Sequence, residues 1–426
     1  MRVGDYFAPL HERPFRLLWL GRTASSVGDA LIPVALAFAV LDIGAGVTGL
    51  GFVLASFTVG RAAFIVIGGV WSDRLPRRAV MIVSDIIRFA VDAFTAVALL
   101  TGEMRLWMFL VTAGVFGSAS AFFGPASTGL VPQTISAQRL QQANALLSFS
   151  QTATYVFGPA VSGLIVTATN PGWVFAIDAV SFLASAAFLL ALNLPAHVRP
   201  AAQHFFHEVA EGWQEIRSRK WLWTSFIAFA IGNIGIGPFF VLGPLIAKDH
   251  LGGAQAWGLI LTGGAIGGVA GSVLAYRLQP GRPLLACFCA WLLASLPTLA
   301  LVPPLPAIVI AVANATFSLG IVFGNALWET VLQREIPLDK LSRVGSIDWM
   351  VSLVFVPVGN ALAGPFANWF GFRTTLLIAA GLLIGADAGL LLLVPDVRNF
   401  RARLSQEPSA SAAGGSPVPE PQAQLP

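Results

Sequence analysis

Charge is what this sequence has least of. Asp, Glu, Lys and Arg make up 11% of its 426 residues, against 56% hydrophobic residues and a mean hydropathy of +0.76. That excludes a soluble domain, because the apolar surface far exceeds what one aqueous core could bury. Lysine is scarcer still. Lys220, Lys248 and Lys340 are all there are, and none stands in a Gly-x-x-x-x-Gly-Lys-Ser/Thr run, so no ATP-hydrolysing site of that kind is present. The five histidines, His11, His197, His204, His207 and His250, lie outside the long apolar runs or at their edges. This argues against a membrane-embedded enzyme, which would need a clustered His, Cys or acid constellation. The two cysteines, Cys287 and Cys289, sit in an apolar run and read as small core residues rather than metal ligands. Neither metal nor cofactor is expected.

What the chain has instead is long apolar runs. A membrane span needs roughly 20 apolar residues, and about twelve such runs occur. They lie at about 17–41, 47–71, 79–101, 105–127, 143–168 and 172–194, then at about 222–247, 255–278, 283–302, 305–332, 344–369 and 373–395. Backbone groups in lipid must be satisfied within their own segment, so these runs are helices. Residues 1–16 are polar and the first run is too long for a signal-peptide core, so no cleavable signal is expected. Between the sixth and seventh runs, His204 to Lys220 places Phe205, Val209, Trp213 and Ile216 at helical spacing among charges, which predicts an amphipathic helix on the membrane surface. The expected organisation is an N-terminal segment (1–16), a six-helix half (17–194), a linker (195–220), a second six-helix half (221–396) and a disordered, Ser/Ala/Gly/Pro-rich tail (397–426).

Orientation follows from the basic residues. Of the 25 Lys and Arg, Arg105, Lys248 and Arg373 fall on one side and Arg22, Arg61 and Arg88 within spans; all the others lie on the side of the termini. Both termini are therefore expected to be cytoplasmic. The halves also look alike at an offset of about 200: Leu140 to Leu146 recurs loosely as Leu341 to Ile347, Phe157-Gly158-Pro159 as Phe355-Val356-Pro357, and Asp73-Arg74-Leu75 faces Tyr276-Arg277-Leu278. Six plus six helices in parallel halves place a substrate site between the halves near mid-membrane.

Spans 2 and 3 are joined by Gly69-x-x-x-Asp73-Arg74-x-x-Arg77-Arg78, which resembles the corresponding loop of major facilitator superfamily transporters, with Pro76 where that family usually has Gly. Phe15 to Arg22 with Gly28-Asp29, Arg139-Leu140-x-x-Ala143-Asn144-Ala145-Leu146, Gly158-Pro159-x-x-x-Gly163, Ala179-x-Ser181-Phe182-Leu183, Leu242-Gly243-Pro244, Ala256-Trp257-Gly258 and Arg343-Val344-x-Ser346-x-Asp348-Trp349 resemble its drug, macrolide and siderophore exporter branch, the transmembrane secretion effector group, in its actinobacterial form. After Pro125-Ala126 that branch commonly has Arg where this chain has Ser127, so its span 4 arginine has no counterpart here. The resemblance covers about residues 13–400. It implies that Gly69, Asp73, Arg74, Arg77 and Arg78 form a latch closing the cytoplasmic side of the outward-open state. It also implies that Gly158, Pro159 and Gly163 form a packing motif in span 5 that accompanies export.

Charges within spans are costly, about 2.5–3.5 kcal/mol each on insertion scales, and usually face a cavity. Span 1 puts Arg22, Ser25, Ser26, Asp29 and Pro33 on one narrow face, and span 10 does the same with Asn314, Ser318, Asn325 and Glu329; both faces are expected to border the path. Asp85, Arg88 and Asp92 share a face of span 3 and read as an internal ion-pair ladder, and Arg61 in span 2 is a possible partner for Asp29. Asp178 and Asp348 lie within two turns of a helix start, where the dipole favours an acid; Asp387 has no explanation in the sequence.

The expectation is an all-α membrane protein with 12 transmembrane helices in two halves, the major facilitator fold. It would export small hydrophobic or amphipathic molecules from a bacterial cell by proton antiport, with no ATPase subunit, no nucleic acid and no enzymatic chemistry. Asp29 is the first proton-coupling candidate, followed by Glu329 and Asp92. One proton falling through 100 mV yields roughly 2.3 kcal/mol, enough for about a 40-fold gradient of a neutral solute. Uptake by the same fold, or a non-transporting scaffold, are the alternatives.

Overall fold

The computed structural model describes residues 8–193 and 213–401; the side chains of residues 65–74 and of several positions between 338 and 353 are outside the described set. Among the described residues the regular structure is entirely helical. The long helices are α1 (Arg13–Asp42), α2 (Gly46–Arg74), α3 (Arg77–Leu100), α4 (Leu106–Leu130), α5 (Leu140–Ala168), α6 (Pro171–Leu190), α7 (Lys220–Ile246), α8 (Ala254–Arg277), α9 (Pro283–Leu301), α10 (Ala307–Glu335), α11 (Leu338–Phe370) and α12 (Phe372–Leu393). A 3₁₀ turn at Leu292–Ala294 interrupts α9, and a π turn at Ala247–Leu251 follows α7. Most of the predicted linker helix lies outside the described residues; 213–218 are helical. Beyond α12 the packed chain continues past 396: Val397 is buried, and the Phe400 ring packs 5.5 Å from Trp221.

The surface is inside out by the standards of a protein in water. On α3, Val83, Ile86, Phe94 and Val97 are exposed, while Asp85, Arg88 and Asp92 are buried. Only a lipid surround makes that distribution favourable. The charged stripe also explains why α3 falls short of a simple apolar span while nine of the other described segments qualify. Exposed tryptophans stand toward both ends of the bundle, Trp107, Trp173 and Trp369 at one and Trp213 and Trp223 at the other, as interfacial anchors do.

Within each half the packing repeats. In the first half α1 packs on α5 and α6, α2 on α4, and α3 on α4 and α6; in the second, α7 packs on α11 and α12, α8 on α10, and α9 on α10. The halves meet through α5 against α8 and, equivalently, α11 against α2. Glycines permit both seams. A Cβ on Gly163 would meet the Ala254 carbonyl and one on Gly364 the Thr48 backbone; a Cβ on Gly258 would strike the Pro159 carbonyl and one on Gly51 that of Asn360. Gly158 lies against Ala30, and Gly359 against Ile234. The repeat is thus offset by 201 positions, 158 to 359, 159 to 360 and 163 to 364. The place of Pro159 is taken by Asn360, three positions beyond the Pro357 that the Phe-x-Pro match suggests.

These seams share one end of the bundle, the distal end, opposite the one where α1 starts and α12 stops. There Lys248 pairs with Asp42 at 2.6 Å across the halves, and Asn368 Nδ2 donates to Thr48 Oγ1 at 3.1 Å. Short turns close the distal loops; Gly371, at φ 80°, joins α11 directly to α12 in a conformation that side chains resist. A Cβ forced into such a seam costs about 1–3 kcal/mol, a shift in population of at least about fivefold. Gly258→Val should therefore open the distal end. Cross-linking between Asp42→Cys and Lys248→Cys, with both native cysteines replaced by Ser, is expected to fall several-fold; undiminished cross-linking would show that this contact does not hold the end shut.

Candidate functional site

The buried charge collects where α3 and α6 run antiparallel beside α1. Asp85, Arg88 and Asp92 are spaced i, i+3, i+7 on α3, and Asp178, Ser181 and Ser185 have the same spacing on α6, so each triplet forms one stripe. Because the helices point in opposite directions, the first residue of one stripe meets the last of the other. Ser185 Oγ donates to Asp85 Oδ2 at 2.7 Å, and the same antiparallel packing sets Asp92 beside Asp178 at the other end. Ser181 Oγ donates to Asp178 Oδ1 at 3.1 Å. Asp92 Oδ2 and Asp178 Oδ2 are both buried and have no hydrogen-bond partner among the described residues.

Arg88 is the hub. Its Nη2 donates to Asp85 Oδ1, its Nη1 lies 3.7 Å from Asp29 Oδ2 on α1, and its guanidinium is sandwiched 4.3 and 4.2 Å from the centroids of Phe123 and Phe182. Asp85 and Arg88 are closed off, whereas Asp29 keeps 32% of its side chain accessible although it lies well inside α1. Asp29 therefore faces open space within the bundle, and its neighbour Gly28 makes room for the cluster: a Cβ there would collide with Asp178 Oδ1 and Ser181 Oγ. Two carboxyl groups thus reach one permanently charged arginine, and two more lie beside them on α3 and α6. Asp85 and Asp29 compete for it, and Asp92 and Asp178 face each other. Such a group of acids can bind, hold and release protons.

The remaining residues singled out in the sequence fall into separate places. Arg61 is exposed and acts on Asp29 by charge at longer range than Arg88 does. Arg22 and Ser26 are half-buried, and Ser25 is buried with Oγ donating to the Arg22 carbonyl. Asn314 is buried in the seam between α8 and α10, where Nδ2 donates to the Ile260 carbonyl at 2.8 Å, and Ser318 lies beside it against Gly264. Asn325 and Glu329, about two and three turns further along α10, are exposed and line a cavity of about 420 Å³ in the second half, which also takes in Asp348 and Asp387. Arg77 Nη1 donates to the Gly129 carbonyl at the end of α4, and Arg78 donates to the Leu189 and Leu190 carbonyls at the end of α6. Both neutralise helix C-termini within the first half. The surroundings of Gly69, Asp73 and Arg74 are outside the described set.

Asp178 is the site residue that sequence reasoning passed over, having read it as a helix-start acid. The signal available was the shared i, i+3, i+7 spacing of polar residues on α3 and α6. At the end of the bundle where the termini lie, Glu12 accepts from Ser136 N and Oγ and pairs with Arg139. Glu215, before α7, pairs with Lys340 at the start of α11 and with Arg219, both at 2.8 Å. Hydrogen bonds from Ser136, and from Lys340 and Arg219, hold Glu12 and Glu215 respectively below the ordinary glutamate range.

Comparison with known proteins agrees with this architecture. The family model of the Major Facilitator Superfamily matches residues 18–353. The chain belongs to that family of membrane transporters, with two six-helix halves. Among its relatives, macrolide efflux protein A of Streptococcus pyogenes is 23% identical over 388 residues, 87% of this chain and 93% of that one. The multidrug efflux pump Tap of Mycobacterium tuberculosis is 26% identical over 392 residues, covering 86% and 90%. Among solved structures, the nucleoside transporter NupG superposes with a TM-score of 0.70 at 13% identity over 89% of this chain and 98% of that one. A bacterial homologue of the human lysosomal transporter Spinster, inward-facing and unoccupied, gives 0.65 at 13% over 93% and 99%.

Two outcomes are expected from this geometry. Arg88→Ala leaves buried acids without their cation, which costs about 3–5 kcal/mol; the thermal midpoint in detergent should drop, and Asp85→Asn combined with Arg88→Gln should recover most of the loss. A double variant no more stable than Arg88→Ala would show that charge pairing is not the cause. For Glu215 the lowered value means that its bridges stabilise the protein above the ordinary glutamate range, near pH ~4.3, and are lost as pH falls through the lowered value. The stability gap between wild type and Glu215→Gln should therefore be constant near neutrality and close only in strong acid.

Proposed function

We propose that this transporter exports small hydrophobic or amphipathic molecules, of drug, macrolide or siderophore kind, in exchange for protons. The membrane is the plasma membrane, with both termini cytoplasmic as the basic residues indicate. The observation that carries the reading is Asp29, accessible within the bundle yet 3.7 Å from a buried arginine that has a second acid to turn to. Ionised, Asp29 draws on Arg88; protonated, it releases Arg88 to Asp85. The neighbouring carboxyl groups of Asp92 and Asp178 extend the site, since two buried acids without donors at Oδ2 repel each other when both are ionised and a proton on one relieves the repulsion. Proton binding thereby alters how α1 is held to α3 and α6, and α1 packs on α5, which forms a seam between the halves.

With the termini cytoplasmic, the distal end, where the halves meet through the glycine seams, is the outer face. Export is supported by the relatives named for macrolide and multidrug efflux. Asp73 and Arg74 would form the latch of the opposite state, while Arg77 and Arg78 anchor its base to α4 and α6.

The test is transport in proteoliposomes with an imposed pH gradient. Asp29→Asn mimics the protonated acid permanently; it should abolish gradient-driven accumulation and retain downhill exchange, which needs no proton to cross. Asp92→Asn and Asp178→Asn should each weaken coupling. Full accumulation by Asp29→Asn at equal protein density would make Asp29 a structural partner of Arg88 and end this assignment.

A further inference from the structure

In the second half three acids share a cavity with no cation among its described lining residues. Glu329 on α10, Asp348 on α11 and Asp387 on α12 all line the 420 Å³ cavity, and no lysine or arginine is among the described residues lining it. Asp387 is 8% exposed and has no hydrogen-bond or ion-pair partner among the described residues; Asp348 Oδ1 is buried and also unpartnered. This is the reverse of the first half, where Arg88 serves the acids around it. An unpaired ionised acid buried at membrane depth is expensive, and either a proton or a visiting cation relieves that cost; the rest of the wall favours the cation.

The rest of the wall suits the body of such a cation. Phe229, Trp291 and Trp328 contribute ring surface, with Phe229 4.9 Å from Trp291 and 4.7 Å from Trp328, both edge to face. The indoles are fixed in orientation: Trp328 Nε1 donates to Asp348 Oδ2 at 3.3 Å and Trp291 Nε1 to the Ile321 carbonyl at 3.4 Å. Aromatic faces attract organic cations, more strongly when water is excluded. Asn325 and Glu329, both exposed, mark the side on which the cavity is open. The volume falls within the range of small-molecule sites, roughly 300–1,000 Å³.

We infer that this cavity between α7, α9, α10, α11 and α12 is a binding site for amphipathic organic cations, with Asp387 and Glu329 as counter-ions and Phe229, Trp291 and Trp328 as the apolar wall. The inference rests on the transporter reading and narrows its cargo to molecules that carry positive charge on an apolar frame. It assigns cargo recognition to the second half and proton handling to the first.

The test uses purified full-length protein, immobilised in detergent without any gradient, and radiolabelled tetraphenylphosphonium; neutral triphenylphosphine oxide, of similar aromatic shape without the charge, is the competitor. Saturable phosphonium binding is expected, undisturbed by the oxide. Asp387→Asn should weaken it at least about tenfold, as loss of a buried counter-ion does, and Asp387→Glu should retain it. Should Asp387→Asn not elute as folded protein, Glu329→Gln, at an exposed position, should still reduce affinity. Equal competition by the neutral oxide, no saturable binding, or wild-type affinity in folded Asp387→Asn would overturn the proposal. Because binding is read without transport, a protein that binds phosphonium but fails to couple protons sinks the antiport reading alone. One that exports neutral cargo and ignores phosphonium sinks this site alone.

Discussion

A charge placed in the low-dielectric interior of a membrane bundle must find its opposite there, and Arg88 is where this chain meets that requirement. An arginine does not lose its proton in a protein, so its position fixes a demand for negative charge that α1, α3 and α6 supply together. Asp85 meets it from one turn away on the same helix, and Asp29 from a neighbouring one. The stacking of Phe123 and Phe182 on the guanidinium keeps water away and holds its plane. Three of the six helices of the first half are therefore linked by one ion. Any change in the ionisation of Asp29 reaches all three.

The apolar seams provide the second constraint. Gly163 against Ala254 and Gly364 against Thr48 bring backbones of opposite halves into contact at the distal end. Contacts of small residues gain packing over a wide area while making few directional bonds. They can be undone without leaving buried donors unsatisfied. The Lys248–Asp42 pair at the same end is partly exposed, and such pairs are worth about 0–1 kcal/mol. A seam built this way is suited to opening and closing within a transport cycle, while the Arg88 cluster stays assembled inside one half.

The span pattern, the two halves and the position of Asp29 well inside span 1 were legible in the sequence, because hydropathy and the spacing of rare charges are properties of single helices. What was not legible depends on pairs of helices. Asp178 looks like a dipole-stabilised acid until α6 is laid antiparallel to α3 and brings it to Asp92. Asn314 and Ser318 share a helical face with Asn325 and Glu329, yet α8 covers the first pair and leaves the second open to the cavity. Helical periodicity identifies a face but not where along it a neighbour ends. Arg77 and Arg78 are similar: charge count gives their side of the membrane, and only the fold shows that the ends of α4 and α6 lie within their reach.

The two halves share a scaffold but divide the electrostatics, and this division bears on how coupling can arise. In the first half acids outnumber a resident cation, and under the proposed antiport protons would adjust the balance. In the second half acids face aromatic rings with no cation among the described lining residues, and under the proposed binding a visiting cation would do so. If both sites had to be neutral before the halves could rock, a proton and a charged cargo would influence the same motion from opposite sides of the seam without touching. The glycine seams that join α5 to α8 and α2 to α11 are the physical connection available for that linkage, because each ties a helix of one half directly to a helix of the other.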